Sequence, residues 1–317
     1  MTIIAPNGRN LQAIMGVSED LDVLAGIDNP ILQLYLLLPD ISSRGGRGED
    51  EDKKVKGDIY RTIARGSLDA ATAAATRSGF RSPDAGKLLQ EFAERRHKLL
   101  ERLPGEHVGP FKMRLTSDLT CGMSQPTVLE NGLMLLRPYG IPMLPAPAIK
   151  GTLACWAAEI VEGELNLKTV EEEKALEEAG LLPLFGFGDR GEDREGQPGT
   201  VIFMDALPSE VHFEVDVTTV HYPGWYRRKD PPSGMENPNP VYFLTVGSGS
   251  VFGFSFVIAA GTTLSPKLTT YWKQFAEFGV KELDHPGAFL KELLLSTARY
   301  KGFGSQTARG YGRMELV

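Results

Sequence analysis

Four glycines stand in two pairs across a short polar gap near the end of the chain, between Gly302 and Arg313. Glycine accepts positive φ and lets a ligand approach the backbone without a Cβ in the way. Exposed N–H groups in such a loop bind anions, and arginines add charge-assisted hydrogen bonds to phosphate. The segment therefore predicts a phosphate-binding loop. Its predicted contacts are Arg299, Lys301, Gly302, Gly304, Ser305, Gln306, Arg309, Gly310, Gly312 and Arg313. The alternative is a Gly-rich turn between a helix and an edge strand, with solvated arginines.

A second candidate lies where three prolines, Pro142, Pro145 and Pro147, stiffen the turn before a predicted helix. Lys150 and Gly151 follow in the first turns of that helix. Free N–H groups at a helix N-terminus attract phosphate, helped by roughly half a positive charge from the helix dipole. The pattern predicts a phosphate contact at Lys150 and Gly151. The alternative is a structural corner with Lys150 in solvent.

Other kinds of chemistry have less support in the sequence. The glycines precede a predicted strand, so they do not form a dinucleotide fingerprint, and no Lys-Ser or Lys-Thr pair follows as in a Walker loop. The five histidines and two cysteines show no metal-ligand spacing. The sequence therefore predicts no metal site, no cofactor and no catalytic residue.

The elements that must position these residues change character along the chain. Residues 1–105 are predicted to be mainly helical, with a mobile loop at 42–58 that is dense in glycine and charge. Residues 106–317 alternate short strands and helices without a regular βαβ repeat, which predicts an α+β domain. A hairpin is predicted in the apolar stretch from Val241 to Ala260, which Gly247 to Ser250 divides.

Charge is distributed unevenly. The formal net charge is −7, but a predicted acidic helical insertion at about 159–195 carries −8, so the rest sums to +1. The last stretch, 296–317, has a balance of +3. Nucleic acid is therefore not excluded as a partner. The chain start lacks the apolar stretch of a signal peptide, and two cysteines make a poor disulfide framework, so we expect a cytoplasmic protein without a membrane span.

Taken in order, these motifs resemble the RAMP superfamily of CRISPR proteins. Its marks are a "P-x-x-x-[IL]-K-G" turn into the first helix and a Gly-rich loop before the last strand, and Pro145 to Gly151 and Gly302 to Gly312 match them. Leu184 to Gly188 and Val201 to Pro208 resemble the FG turn and the "F-x-D-A-x-P" strand of this group. The resemblance covers about Phe111 to Val317.

Within the superfamily, Thr218 to Tyr226 and Asn239 to Leu244 look most like the sixth-subunit family of the type III-B Cmr complex. The resemblance implies a ferredoxin-like (RRM-related) core and a place at one end of a ribonucleoprotein filament. The implied partners are CRISPR RNA, target RNA, the repeated backbone RAMP subunit, a neighbouring end-cap RAMP subunit and a small helical subunit.

The same resemblance implies a role in holding RNA rather than cutting it, because target cleavage in such complexes is assigned to the backbone subunit. His221, Tyr222 and Trp225 introduce a Pro-rich loop at about 222–240. We expect them to stack on RNA bases or to reach toward a neighbouring subunit. The rival interpretation is a metal-independent CRISPR RNA-processing endoribonuclease, with His221 as general acid or base.

Overall fold

The computed structural model describes residues 83–124, 131–136, 140–163, 168–188, 195–226, 228, 231 and 239–317. The chain divides into two compact units. The first comprises Met1–Leu88, Thr120–Pro142 and Glu210–Gly247, and the second Leu89–Leu119, Met143–Ser209 and Ser248–Val317. The predicted loop at 42–58 and most of the predicted helical region lie outside the described residues. The domain boundary at residue 105 stays a prediction.

Helices and antiparallel strands are both present, which confirms the predicted α+β class. The helices are α1 (Pro83–Leu100), α2 (Ala146–Glu162), α3 (Thr169–Glu178), α4 (Leu182–Phe185), α5 (Pro223–Tyr226), α6 (Trp272–Glu277) and α7 (Pro286–Tyr300), with 3₁₀ helices at Pro266–Tyr271 and Thr307–Arg309. None of these described helices combines the length and apolar character needed to cross a bilayer.

The strands vary widely in length. They are β1 (Glu106–Leu115), β2 (Leu135–Leu136), β3 (Ile141–Pro142), β4 (Gly186–Phe187), β5 (Gln197–Pro198), β6 (Val201–Phe203), β7 (Leu207–Glu210), β8 (Phe213–Val220), β9 (Asn239–Val246), β10 (Val251–Ile258) and β11 (Met314–Leu316). β2 pairs with β3 and β4 with β5 as two-residue ladders.

The main sheet has the order β11-β1-β10-β6, and β7 also pairs with β10. The ladders that β1 and β10 form along this order are antiparallel. α2 connects β1 to the β6 side, and α7 connects β10 to β11. This β-α-β-β-α-β order, with the first and third strands in the centre, is compatible with the ferredoxin-like arrangement.

Alternation along β1 decides which side of the sheet forms the core. Met113 and Leu115 are buried, whereas Lys112 and Arg114 between them are exposed. Side chains on successive strand residues point to opposite faces. On the buried face, Lys291 of α7 lies over the Phe111 ring with its Nζ 5.9 Å from the centroid. Helix α7 therefore packs on the Met113 face, and Lys112 and Arg114 lie on the other.

The predicted hairpin between Val241 and Ala260 is wrong in its pairing, although both strands exist. β9 pairs along its whole length with β8 in a separate two-stranded ribbon, while β10 pairs with β1, β6 and β7. The Gly-Ser segment between them does not close a two-strand turn, because its amides bond elsewhere. Gly247 N donates to His212 O at 2.9 Å, and Gly249 N donates to Leu115 O at 2.8 Å.

Candidate functional site

The Gly-rich loop follows α7 and closes on itself. Phe303 N donates to Gly312 O at 3.0 Å. Gly302 and Gly312 have φ of 80° and 71°. A Cβ would lie 2.7 Å from Tyr311 O at Gly302 and 1.9 Å from Phe303 O at Gly312. Glycine at these two positions is therefore required by the closure of the loop itself, before any ligand is considered.

Three of the four glycine amides donate hydrogen bonds inside the protein. The bonds run from Gly302 to Thr297 O (2.8 Å), from Gly310 to Thr307 O (2.9 Å) and from Gly312 to Asp118 O (2.8 Å). The expected row of exposed amides is wrong at these positions, because loop closure already satisfies them. Gly304 is exposed, and neither it nor Ser305 hydrogen-bonds any other residue in the described part of the chain.

Two of the predicted arginines meet in a groove beside this loop. Arg299 lies in the last turn of α7, and Arg313 directly precedes β11. The groove has a volume of about 440 Å³, and its wall includes Met113, Leu295, Met314, Leu316 and Glu315 besides the two arginines. The structure therefore brings together two cations that stand fourteen positions apart in the chain.

The guanidinium of Arg313 is held in place by the helix. Its Nη1 donates to Arg299 O at 3.4 Å, at the carbonyl end of α7, where the helix dipole favours a cation. Partial burial lowers the pKa of Arg313, but arginine stays protonated in proteins. Within the described residues, no carboxylate lies at ion-pair distance from Arg299 or Arg313. Both charges are therefore available to an anion in the groove.

Gln306 and Arg309 form a separate small turn. Gln306 has φ 56°, and its Oε1 accepts a hydrogen bond from Arg309 Nη1 at 3.2 Å. Arg309 is exposed and does not line the groove of Arg299 and Arg313. The loop thus carries one cation at its tip and two at its base.

Lys301 has a structural partner. Its Nζ donates to Glu159 Oε1 of α2 at 2.7 Å, and the side chains of Lys301 and Glu159 are only 22% and 2% exposed. Burial raises the pKa of the nearby Glu172 carboxyl, and the positive charge of Lys301 partly opposes that rise. A buried charge needs such a partner. Lys301 is therefore an ion-pair partner of α2 rather than a free cation of the loop.

The start of α2 has no free donor for phosphate, contrary to expectation. Pro145 and Pro147 have no N–H, and Ala148 N donates to Pro145 O at 2.9 Å. Ala146 N donates to the Asp205 carboxylate at 2.7 Å. The anion that this helix N-terminus attracts is the protein's own Asp205.

Lys150 and Gly151 line a second groove, of about 500 Å³, together with Glu172 and Glu173 of α3. The two carboxylates prevent this groove from being a positively charged site. Gly151 lies inside the helix, and a Cβ built on it has no atom of another described element within 4 Å. Lys150 therefore lies next to a helix position that has no side chain, but the free backbone amides that the sequence predicted beside it are absent from this helix start.

His221, Tyr222 and Trp225 lie in the other compact unit, where the chain leaves β8. Tyr222 is 41% exposed, and Trp225 and Tyr226 of the short helix α5 are 55% and 73% exposed. His221 is exposed, and no described residue hydrogen-bonds its ring. Most of the predicted Pro-rich loop lies outside the described residues. Its beginning presents aromatic rings to solvent.

The thiols give no sign of a reactive or metal centre. Burial raises the pKa of Cys121 to about 11, and burial is also the main cause that raises the pKa of Cys155. Protonated thiols are poor nucleophiles and poor metal ligands. Across the described ranges, no cluster of three His, Cys, Asp or Glu residues is arranged to hold a metal ion.

Two acidic residues that shape the site were not predicted from the sequence. Asp205 accepts a hydrogen bond from Ala146 N in the first turn of α2 and also accepts, through its backbone oxygen, a hydrogen bond from the Arg96 guanidinium of α1. Its signal was the "F-x-D-A-x-P" motif, which was noted only as a resemblance. Glu159 lies between the buried residues Ala158 and Ile160. A carboxylate in such an apolar helix stretch is a sign of a buried partner.

Comparisons with known proteins agree with the motif pattern. The RAMP superfamily model matches residues 112–315. CRISPR system Cmr subunit Cmr6 of Pyrococcus furiosus is 26% identical over 253 residues, which are 64% of this chain and 66% of that protein, just under two thirds of its length. A chain in the cryo-EM structure of the type III-B Cmr-beta complex bound to cognate target RNA superposes with a TM-score of 0.53 at 19% identity, covering 97% of this chain and 89% of that one.

Proposed function

This chain belongs to the RAMP superfamily, and we propose that it is a non-catalytic RNA-binding subunit of a type III-B CRISPR ribonucleoprotein. The similar protein from Pyrococcus furiosus is a Cmr subunit, and the fold neighbour comes from a Cmr complex bound to target RNA. In this role the chain caps the backbone filament and holds CRISPR RNA near its 3′ end, next to other Cmr subunits. Its activity serves target RNA silencing and antiviral defence.

The observation that carries the RNA-binding role is the groove of Arg299 and Arg313. Guanidinium groups bind phosphate through paired, charge-assisted hydrogen bonds, and these two have no carboxylate partner among the described residues. The apolar side chains of Met113, Leu295 and Leu316 line the same groove. Such a surface suits a sugar–phosphate chain, which alternates charged phosphates with less polar sugars.

Contacts of this kind bind RNA with little dependence on its base sequence. Phosphate contacts fix position, whereas sequence is read from base edges. The exposed rings of Tyr222 and Trp225 suit stacking on bases, which every base tolerates. A guide-holding subunit must accept guides of many sequences, so backbone contacts and stacking fit the proposed role.

We do not assign cleavage to His221. An RNA-cleaving histidine needs a second group that exchanges the other proton or orients the imidazole. The described residues place no hydrogen-bond partner on its ring. Incubation of the full chain with CRISPR-repeat RNA tests this rival. Discrete fragments that disappear in His221→Ala would replace the proposed role by an endoribonuclease.

The test of the proposed function is the salt dependence of RNA binding. The full chain is titrated against a labelled single-stranded RNA at several salt concentrations, as wild type and as Arg299→Ala/Arg313→Ala. Two lost phosphate contacts lower the slope of log K against log salt by about 1.4, since each contact on a single strand contributes about 0.7. The matched control is Lys267→Ala/Lys273→Ala, which removes the same charge from exposed sites elsewhere. Equal slopes in all three proteins would overturn the proposed site.

A further inference from the structure

Gly253 lies in the middle of the central strand β10, and the fold gives no reason for a glycine there. Its φ is not in the positive region that only glycine adopts freely. Among the described residues, a Cβ at this position would meet only Leu207 O, at 3.9 Å, which is ordinary contact. Glycine inside a strand weakens the strand, and it often marks a place where a ligand approaches the backbone closely. Neither its conformation nor packing within the described residues requires a glycine here.

The neighbours of Gly253 are two cations. Lys112 of β1 is its direct cross-strand partner, and Arg114 lies two residues further along β1 on the same face. Both side chains are exposed, and neither forms an ion pair or side-chain hydrogen bond among the described residues. The face is the one opposite helix α7. The missing side chain therefore leaves the backbone of Gly253 uncovered beside two cations, while Glu315 of β11, the cross-strand partner of Arg114, forms no ion pair with either.

We propose that Lys112, Arg114 and Gly253 form a second contact strip for the sugar–phosphate backbone of RNA. This inference rests on the proposed RNA-binding function. Phosphate is the chemistry that two adjacent cations recognise, and the missing Cβ lets a sugar or phosphate lie against the sheet. A peptide strand cannot add at Lys112 to Arg114, because β10 pairs with this part of β1 on one side and β11 with Val317 on the other, and β10 is itself paired with β6 and β7.

The pattern has a parallel in α2. Gly151 is also free of a conformational or packing requirement, and it stands next to Lys150. A glycine that lowers stability thus lies next to a lysine without an ion-pair partner at two positions, Gly253 and Gly151. On the exposed face at Gly253 two cations stand beside one carboxylate, because Glu315 of β11 is the cross-strand partner of Arg114, whereas in the α2 groove Lys150 stands beside two. The strip on β1 and β10 is the more favourable of the two for an anion.

The test separates binding from folding. Gly253→Val supplies a side chain that strands favour and that covers this stretch of backbone, so the melting temperature stays equal or rises. The same side chain holds a phosphate away from Lys112 and Arg114. RNA affinity therefore falls, and the salt slope falls by about 1.4, the loss expected for two contacts on a single strand. Gly253→Ala gives a smaller loss of affinity. A glycine needed only by the fold would instead lower the melting temperature and leave the slope unchanged.

A second variant protects the test against misfolding of Gly253→Val. Lys112→Ala/Arg114→Ala keeps the backbone intact and is expected to give the same loss of slope, against Lys267→Ala/Lys273→Ala as control. An unchanged slope in this variant, together with a loss in Arg299→Ala/Arg313→Ala, overturns the strip and leaves the proposed function standing. Absence of RNA binding by the wild-type chain overturns both. If Lys112→Ala/Arg114→Ala left RNA affinity unchanged but no longer pulled down an acidic subunit, the strip would bind a protein partner instead of RNA.

Discussion

The start of α2 and the Gly-rich loop have similar sequence patterns. In each, small residues beside a cation predict a phosphate site formed by backbone amides. In both regions most of the amides donate hydrogen bonds within the protein, and in the loop Gly304 and Ser305 are the exceptions. At α2 the donor of Ala146 bonds Asp205, and at the loop Gly312 bonds Asp118. The regions differ in their cations. Lys150 shares its groove with two glutamates, whereas the groove of Arg299 and Arg313 contains two cations and one carboxylate, Glu315, which forms no ion pair with either arginine.

This difference indicates that side-chain charge, rather than backbone amides, distinguishes the proposed phosphate site from the start of α2. It also separates two kinds of glycine. Gly312 closes the loop at a positive φ against the Phe303 backbone, and no side chain fits there. Gly151 has ordinary helical backbone and open space around it.

Lys301→Ala is expected to have the largest effect, and on stability rather than on RNA. Removing one partner of a buried ion pair leaves an uncompensated charge, which costs about 3–5 kcal/mol. Glu159 is almost fully buried and would lose this charged partner. Urea unfolding of the full chain measures the free energy of unfolding. The salt slope of RNA binding is expected to match that of wild type.

The control for this prediction is Lys273→Ala, an exposed lysine on α6 whose loss should leave stability nearly unchanged. A double variant, Lys301→Met/Glu159→Leu, removes both charges and should recover most of the lost stability. If Lys301→Ala kept the stability of wild type and gave a flatter salt slope, Lys301 would be an RNA contact after all. The distinction between structural and RNA-binding cations in the loop would then be wrong.

Gly312→Ala is expected to destabilise the protein by about 1–3 kcal/mol, the range for a residue forced into a rare backbone conformation. The added Cβ would collide with Phe303 O in a loop that has no room to yield. Thermal unfolding measures the change. A neutral substitution would mean that the loop does not need to close, and its amides would again be candidates for phosphate.

Asp205→Ala is expected to cost about 1 kcal/mol, the usual net contribution of one hydrogen bond, because Ala146 N in the first turn of α2 loses its acceptor. Asp205→Asn keeps an oxygen that accepts from Ala146 N and should retain most of the stability. The comparison of the two variants by urea unfolding separates the hydrogen bond from the charge. If Asp205→Ala raised RNA affinity at no cost in stability, the carboxylate would be blocking a phosphate site at α2.

The sequence predicted the local elements well and their connections less well. The alternation of Phe111, Met113 and Leu115 identified β1, and the proline-led apolar run identified α2. The pairing of β9 and β10 was not predictable from their glycine-rich link, because the partners that decide it, β8 and β1, are distant in sequence. A local turn signal carries no information about a competing long-range ladder.

The candidate site shows the same limit. Residue types were enough to predict that arginines near the loop matter, and the structure brings Arg299 and Arg313 together. Whether a lysine or a backbone amide is available to a ligand depends on which residues, distant in sequence, pack against it. Glu159 is 142 positions from Lys301. Charge pairing at that separation follows from tertiary packing, which single-sequence patterns do not encode.

Gly151→Ala gives the smallest expected change in stability and the sharpest test of the two kinds of glycine. Alanine inside a helix is favoured over glycine by about 0.5–1 kcal/mol, and its Cβ here meets nothing, so the variant should be more stable than wild type. If RNA also lies against Lys150, the same variant should bind RNA more weakly while folding better. If Glu172 and Glu173 keep RNA away, binding should not change. Thermal unfolding and RNA titration of this one variant therefore decide whether α2 belongs with the arginine groove or apart from it.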